Sequence, residues 1–196
     1  MDMIVGVVIL GVVMLAVYHV SSSTFSLWRG VDDRLATQQD VRLAIDRVAR
    51  ALHETTPAFG RLRAYTAGEG CAGAFEGCLG FVTARDAQCT GSLQLFDGAP
   101  DWQSTIYVWR DTSSNELRLR CDVGKTFPVP TWPPVLEPFT VIGSHVVAAT
   151  FSLEPAGSSS PTSVTVMLEE DTPPSRTPAG KSRATFNRTV FVPQNR

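Results

Sequence analysis

No lysine or arginine precedes Arg29, no proline precedes Pro57 and no cysteine precedes Cys71. The first absence leaves Met3–Val20, MIVGVVILGVVMLAVYHV, without formal charge beyond whatever His19 carries. The second leaves nothing ahead of Pro57 that forces a helix to break. The third places all cysteine chemistry beyond the apolar run. Basic residues are scattered and the net charge is only −2, so no surface for nucleic acid is evident. Gly-x-Ser-x-Gly, His-Glu-x-x-His and phosphate-binding glycine loops do not occur. His19, His53 and His145 stand too far apart in sequence to form a ligand pair, and Cys71 and Cys89 have no evident base to activate them as nucleophiles. The reading is of a chain that is not an enzyme and carries no cofactor or metal.

What is present begins with the apolar run itself. Its 18 residues extend roughly 27 Å as a helix, enough to cross the hydrocarbon core of a bilayer. Asp2 bounds it on one side and Ser21, Ser22 and Ser23 on the other. A cleaved signal peptide would want a basic start and a shorter apolar stretch. A buried core helix would not be apolar on every face at a terminus. Beyond the run, Trp28, Val31 and Leu35, then Val41, Ile45, Val48 and Leu52, recur at spacings of three and four. That period predicts a continuing amphipathic helix with those residues toward a core. Arg42, Asp46, Arg50 and Glu54 form an outward ladder of opposite charges four apart, and Thr56-Pro57 is the expected stop. Residues 1–57 are thus read as one long helix, spanning a membrane over 3–20 and amphipathic over 24–56. Residues 58–196 are read as one β-rich globular head, large enough for a real core.

In the head, residues 60–78 are Gly- and Ala-rich and read as a loop crossing the helix. Strands are expected at Leu79–Ala84, Ser92–Phe96, Thr105–Arg110, Glu116–Cys121, Thr140–Leu153 (bulged at Gly143), Ser163–Leu168 and Ala184–Val192. The polar turn Asp111–Asn115 predicts a hairpin with Ile106, Val108, Leu117 and Leu119 on one face. Residues 127–138 carry five prolines and read as a stiff covering loop around Trp132. Residues 169–182 read as a hairpin loop. Asn187-Arg188-Thr189 fits the glycosylation triplet but falls within a strand. The fold class is α+β, an antiparallel sheet laminated onto the amphipathic half of the helix.

Cys71, Cys78, Cys89 and Cys121 are four in number and all on one side of the apolar run, which reads as two disulfides in an oxidising compartment. Their spacings match no zinc ligand pair. Three pairings are open; Cys71–Cys78, closing the Gly-rich loop, and Cys89–Cys121, joining strands, are favoured. Basic residues near the span give the opposite orientation, because Arg29 and Arg34 follow it and none precedes it. The cysteines favour the outward placement.

Asp2-Met3-Ile4-Val5-Gly6-Val7-Val8-Ile9-Leu10-Gly11-Val12-Val13 resembles the start of type IV pilins and type II secretion pseudopilins: an acid, an unbroken apolar run, and a Gly nine positions after the acid. Asp2 stands where the family usually has Glu, and keeps the carboxylate. Thr37–Leu52 is similar to PilW/GspJ-like minor pilins, where a Gln precedes an R-x-A-x-x-R-x-x-R-x-L pattern; here that pattern is Arg42, Ala44, Arg47, Arg50 and Leu52. Arg188–Arg196 resembles that group's closing strand. The resemblance implies a pilin-like fold and a subunit held in the bacterial inner membrane, with its head in the periplasm and its body later drawn into a fibre. On the cysteines and the resemblance together, the outward placement is preferred. It implies other major and minor pilins as partners through the N-terminal helix, and a prepilin peptidase if a leader is encoded upstream. Asp2 would pair with the terminal amine of a neighbouring subunit, a carboxylate near hydrocarbon being costly unless paired. Gly6 and Gly11 would allow close helix approach. Read without the resemblance, Asp2 is an N-cap and the chain a membrane-anchored periplasmic binding domain that never polymerises. Pilus, DNA-uptake and secretion machines all remain open.

Overall fold

The structure, a computed structural model, describes residues 2–55, 61–66, 69–71, 73–85, 89, 91–123, 129, 137–156, 158, 161–171 and 183–191. It opens with a single helix, α1 (Asp2–His53), 52 residues long and so about 78 Å from end to end. Ten strands follow: β1 (Leu62–Tyr65), β2 (Phe75–Thr83), β3 (Leu95–Phe96), β4 (Ala99–Pro100), β5 (Ser104–Asp111), β6 (Glu116–Val123), β7 (Thr140–Gly143), β8 (Val146–Glu154), β9 (Ser163–Asp171) and β10 (Arg183–Phe191). The chain is α+β, an apolar N-terminal helix with an antiparallel β head. Thr56 and Pro57, the expected stop, lie outside the described residues; helical geometry ends at His53, and Arg50 and His53 set basic charge against the carbonyl end of the helix.

The strands form a five-stranded sheet in the order β1-β2-β5-β6-β7, a three-stranded sheet β10-β9-β8, and the small hairpin β3-β4. Every residue of β5 is buried, because it is the central strand of a sheet covered on both faces. Alternation divides its side chains. Ile106 and Val108 join Leu79, Phe81 and Leu117 in the main core against α1 and the three-stranded sheet. Tyr107 and Trp109 join Tyr65, Val82 and Trp102 in a second core on the far face, closed by Val129. Gly80 lies under that lid. A Cβ there would meet the Tyr65 ring at 2.9 Å and Val129 at 3.1 Å.

Several expectations are corrected. Strand β1 occupies part of the stretch read as a loop over 60–78, and β2 starts at Phe75. Of Ser92–Phe96 only Leu95–Phe96 is strand, paired with Ala99–Pro100 in a hairpin of its own. Thr140–Leu153 is not one bulged strand. It breaks after Gly143, whose Cβ would sit 3.1 Å from Ala44 of α1, and turns at His145, which holds a left-handed φ of 60°. Its first half completes the large sheet and its second opens the small one. Glu169–Asp171 continue β9 rather than starting a loop. Trp132 and most of the proline-rich stretch, residues 172–182 and residues 192–196 lie outside the described residues.

The two sheets are joined at a corner by Arg110, a buried guanidinium on β5. Its Nε donates to the Val146 carbonyl at 2.6 Å and its Nη2 to Asn115 Oδ1 at 2.7 Å, and it pairs with Glu76. The Val146 amide in turn donates to the Asn115 carbonyl at 2.8 Å. A charge this deep persists because each face of the guanidinium meets an acceptor. Cys71 is bonded to Cys78, and Cys89 to Cys121.

Candidate functional site

α1 has two environments. Val41, Ala44, Ile45, Val48, Ala49 and Leu52 are buried in the main core. Gly6–Arg29, 24 residues, is long and apolar enough to cross a membrane, and none of its described side chains is buried. Trp28, near the end of that span, and Val31 and Leu35, between the two segments, are also exposed, a correction to their reading as core residues. At about 100° per residue the centre of their stripe lies roughly 100° around the helix from the centre of the docked face, and all three precede Val41 by about 9 Å or more along the axis. The free part of α1 therefore carries an apolar stripe past the apolar run, facing a different direction.

Asp2 is the first residue of α1, and its side chain lies outside what the structure describes. Gly6 and Gly11 lie on the exposed segment with nothing within 4 Å of a Cβ built on either. Five residues apart, they face directions about 140° from one another. A single neighbouring helix cannot use both.

The charge ladder behaves differently from its sequence reading. Its acids turn to the head instead of to the arginines four residues away. Asp46 pairs with Arg188 of β10, and Glu54 accepts two bonds from Arg85, each 2.6 Å. Asp40 accepts from the Ser144 hydroxyl at 3.0 Å. These three tethers hold the docked segment at successive heights. Arg50 donates from Nε to the Asp46 carbonyl at 3.3 Å.

Two features were not foreseen in the sequence. The first is a cavity of about 750 Å³ beside the end of α1. Ile106, Leu119 and Ile142 floor it, Phe139 walls it, and Arg47 and Arg50 stand at its rim. The Arg85–Glu54 pair and the Cys89–Cys121 disulfide also line it. The second is Glu170, only 2% exposed, at the end of the inward row Val164, Val166 and Leu168 on β9. Neither carboxylate oxygen has a hydrogen-bond partner among the described residues. Burial, with Asp40 of α1 adding repulsion, pushes its pKa up to about 7. The alternation of β9 could have placed it inward, but the acidic run Glu169-Glu170-Asp171 reads as loop.

The remaining ionisable groups serve structure. Burial and then the Asp122 carboxylate push the Tyr107 phenol up to about 12, and burial raises Tyr65 as well. Both stay protonated at neutral pH. Burial would raise Asp111, but the Ser113 hydroxyl and amide, the Arg118 guanidinium and the Ser114 amide outweigh it, and its pKa is lowered. Among the described residues no three His, Cys, Asp or Glu side chains gather as a metal site. His53 ends α1 and His145 sits at the β7–β8 turn, both exposed. The Asn187-Arg188-Thr189 triplet lies within β10, where Thr189 hydrogen-bonds Thr165 at 3.1 Å and Arg188 holds Asp46. The chain matches no protein-family model, no curated protein and no solved structure.

Proposed function

We propose that this chain is a minor pilin or pseudopilin, a structural subunit with a pilin-like fold that primes a type IV pilus or type II secretion-like fibre or sits at its tip. It is held in the bacterial inner membrane by its first helix, head in the periplasm, until it is drawn into the fibre with other pilins. The observation that carries this reading is the single unbroken helix α1, greasy and uncovered over Gly6–Arg29 and core-forming over Val41–Leu52. A simple anchor needs only the first of these. A helix that continues as a rigid rod into its own head, with the further apolar stripe Trp28, Val31 and Leu35 left open, suits a subunit that packs against neighbouring rods. The four cysteines paired as two disulfides suit an oxidising compartment.

In this reading Asp2 fixes axial register by pairing with a neighbour's terminal amine, and Gly6 and Gly11 admit two different neighbours. Asp2→Ala then abolishes incorporation into sheared fibres, measured with an antibody to the head, while the head's melting temperature is unchanged. Normal incorporation of that variant contradicts the role given to Asp2, and absence of the unsubstituted chain from sheared fibres contradicts the fibre reading. That absence would leave the second reading, a membrane-anchored periplasmic binding domain, which the cavity beside Arg47 and Arg50 favours.

A further inference from the structure

Among the described residues of the head, the hairpin β3-β4 is the least covered part. Its connection is the two-residue turn Asp97-Gly98, both at left-handed φ of 51° and 77°, which gives a tight hairpin with matched strand twist. It springs from the Arg85–Leu93 bridge. Along it Leu93, Leu95 and Phe96 are 45%, 59% and 76% exposed. A two-stranded hairpin is marginal in water unless its side chains pack on something, and these three large ones pack on little of their own chain.

The cavity at the end of α1 is the converse. It has an apolar floor in Ile106, Leu119 and Ile142, and Arg47 at its rim has no hydrogen-bond or ion-pair partner among the described residues. Its volume falls in the range that accommodates a few large apolar groups. The hairpin carries Asp97 at its tip and Asp101 at its base, opposite in sign to Arg47 and Arg50. One chain therefore presents an apolar knob with acidic flanks and an apolar hole with a basic rim. Arg85 touches both, as the hairpin's bridge partner and as part of the cavity wall.

We propose that the hairpin Leu93–Pro100 of one copy seats in this cavity of a second copy, with Phe96 on the apolar floor, Leu95 on the opposite face of its strand against the cavity wall, and Asp97 beside Arg47. A knob and a hole set close together on one surface allow reciprocal insertion about a two-fold axis, so that one contact uses both features twice. The contact is between heads. It goes beyond the fibre reading and does not depend on Asp2 or on packing of the apolar helices.

The test uses the full chain in phospholipid vesicles, with p-benzoylphenylalanine at position 96 replacing one exposed aromatic by another. Isotopically light and heavy copies are mixed before irradiation. The expected result is a crosslinked dimer joining position 96 of one copy to Arg47–Ala51 or Phe139–Ile142 of the other. Arg47→Glu, at an exposed position without a partner, should cut the dimer yield about tenfold and leave the melting temperature unchanged. The same probe at exposed Leu43 should give no such crosslink. Monomer only, a crosslink within one copy, or a dimer joined at any other surface overturns the proposal. Asp2→Ala should leave the dimer yield unchanged, so this test and the fibre test fail separately.

Discussion

Val48→Asp prevents the head from folding, or lowers its melting temperature by about 15 °C or more. Val48 is fully buried at the middle of the docked face of α1, between the two sheets. A carboxylate there loses its water and finds no cation among the surrounding apolar side chains. The cost is several kcal/mol, against a total stability of about 5–15 kcal/mol for a domain of this size. Leu43→Asp is the matched control. Leu43 lies on the same helix five residues earlier, faces about 190° from the centre of the docked face and is exposed, so the head should melt within a few degrees of wild type. Thermal unfolding followed by near-ultraviolet circular dichroism distinguishes the two. Equal effects would mean that the helix is not part of the core.

Glu170→Leu stabilises the head at pH 8 by about 2 kcal/mol and removes a pH dependence. In the folded chain burial and Asp40 raise the Glu170 carboxyl from its ordinary 4.5 to about 7. The groups opposite it on β8 and β10 are Val146 and Ala184, neither of which titrates. Between these two values the folded chain retains a proton that the unfolded chain has released, so stability falls as pH rises through that window. Its contribution is fully present below pH 4.5 and fully lost above about pH 7. The unscreened ceiling for such a shift is about 3 kcal/mol; Asp40 is exposed and water relaxes part of it. Leucine continues the row Val164, Val166 and Leu168 and leaves no unpaired oxygen. Chemical denaturation at pH 5 and pH 8 reads the difference: wild type loses stability across the interval, and the variant loses much less. An identical loss in both would show that another group governs the slope.

The long helix was legible because periodicity and the absence of proline act locally, and so was the hairpin of β5 and β6, where alternating residues flank a polar turn. The limits of each signal are also physical. Spacing alone placed Trp28, Val31 and Leu35 with Val41, Ile45, Val48 and Leu52, but the two sets differ in azimuth, and only the second meets the head. The charges Asp46 and Glu54 looked like helix-internal partners because sequence displays neighbours four apart; Arg188 and Arg85 are far away along the chain. The Thr140–Leu153 stretch is β-prone throughout, and its break at Ser144-His145 follows Gly143, where α1 passes close to the strand, a contact distant in sequence. The cavity draws its walls from five separated segments, so no local pattern could announce it.

Hydrogen–deuterium exchange of the full chain in lipid nanodiscs addresses most directly whether one rod serves both lipid and core. Strong protection over Gly6–Val20 and again over Val41–Leu52, joined by helical, slower-than-coil exchange through residues 21–40, is the expected result. Unprotected amides over Gly6–Val20, or a stretch between the two halves exchanging at coil rates, would contradict it.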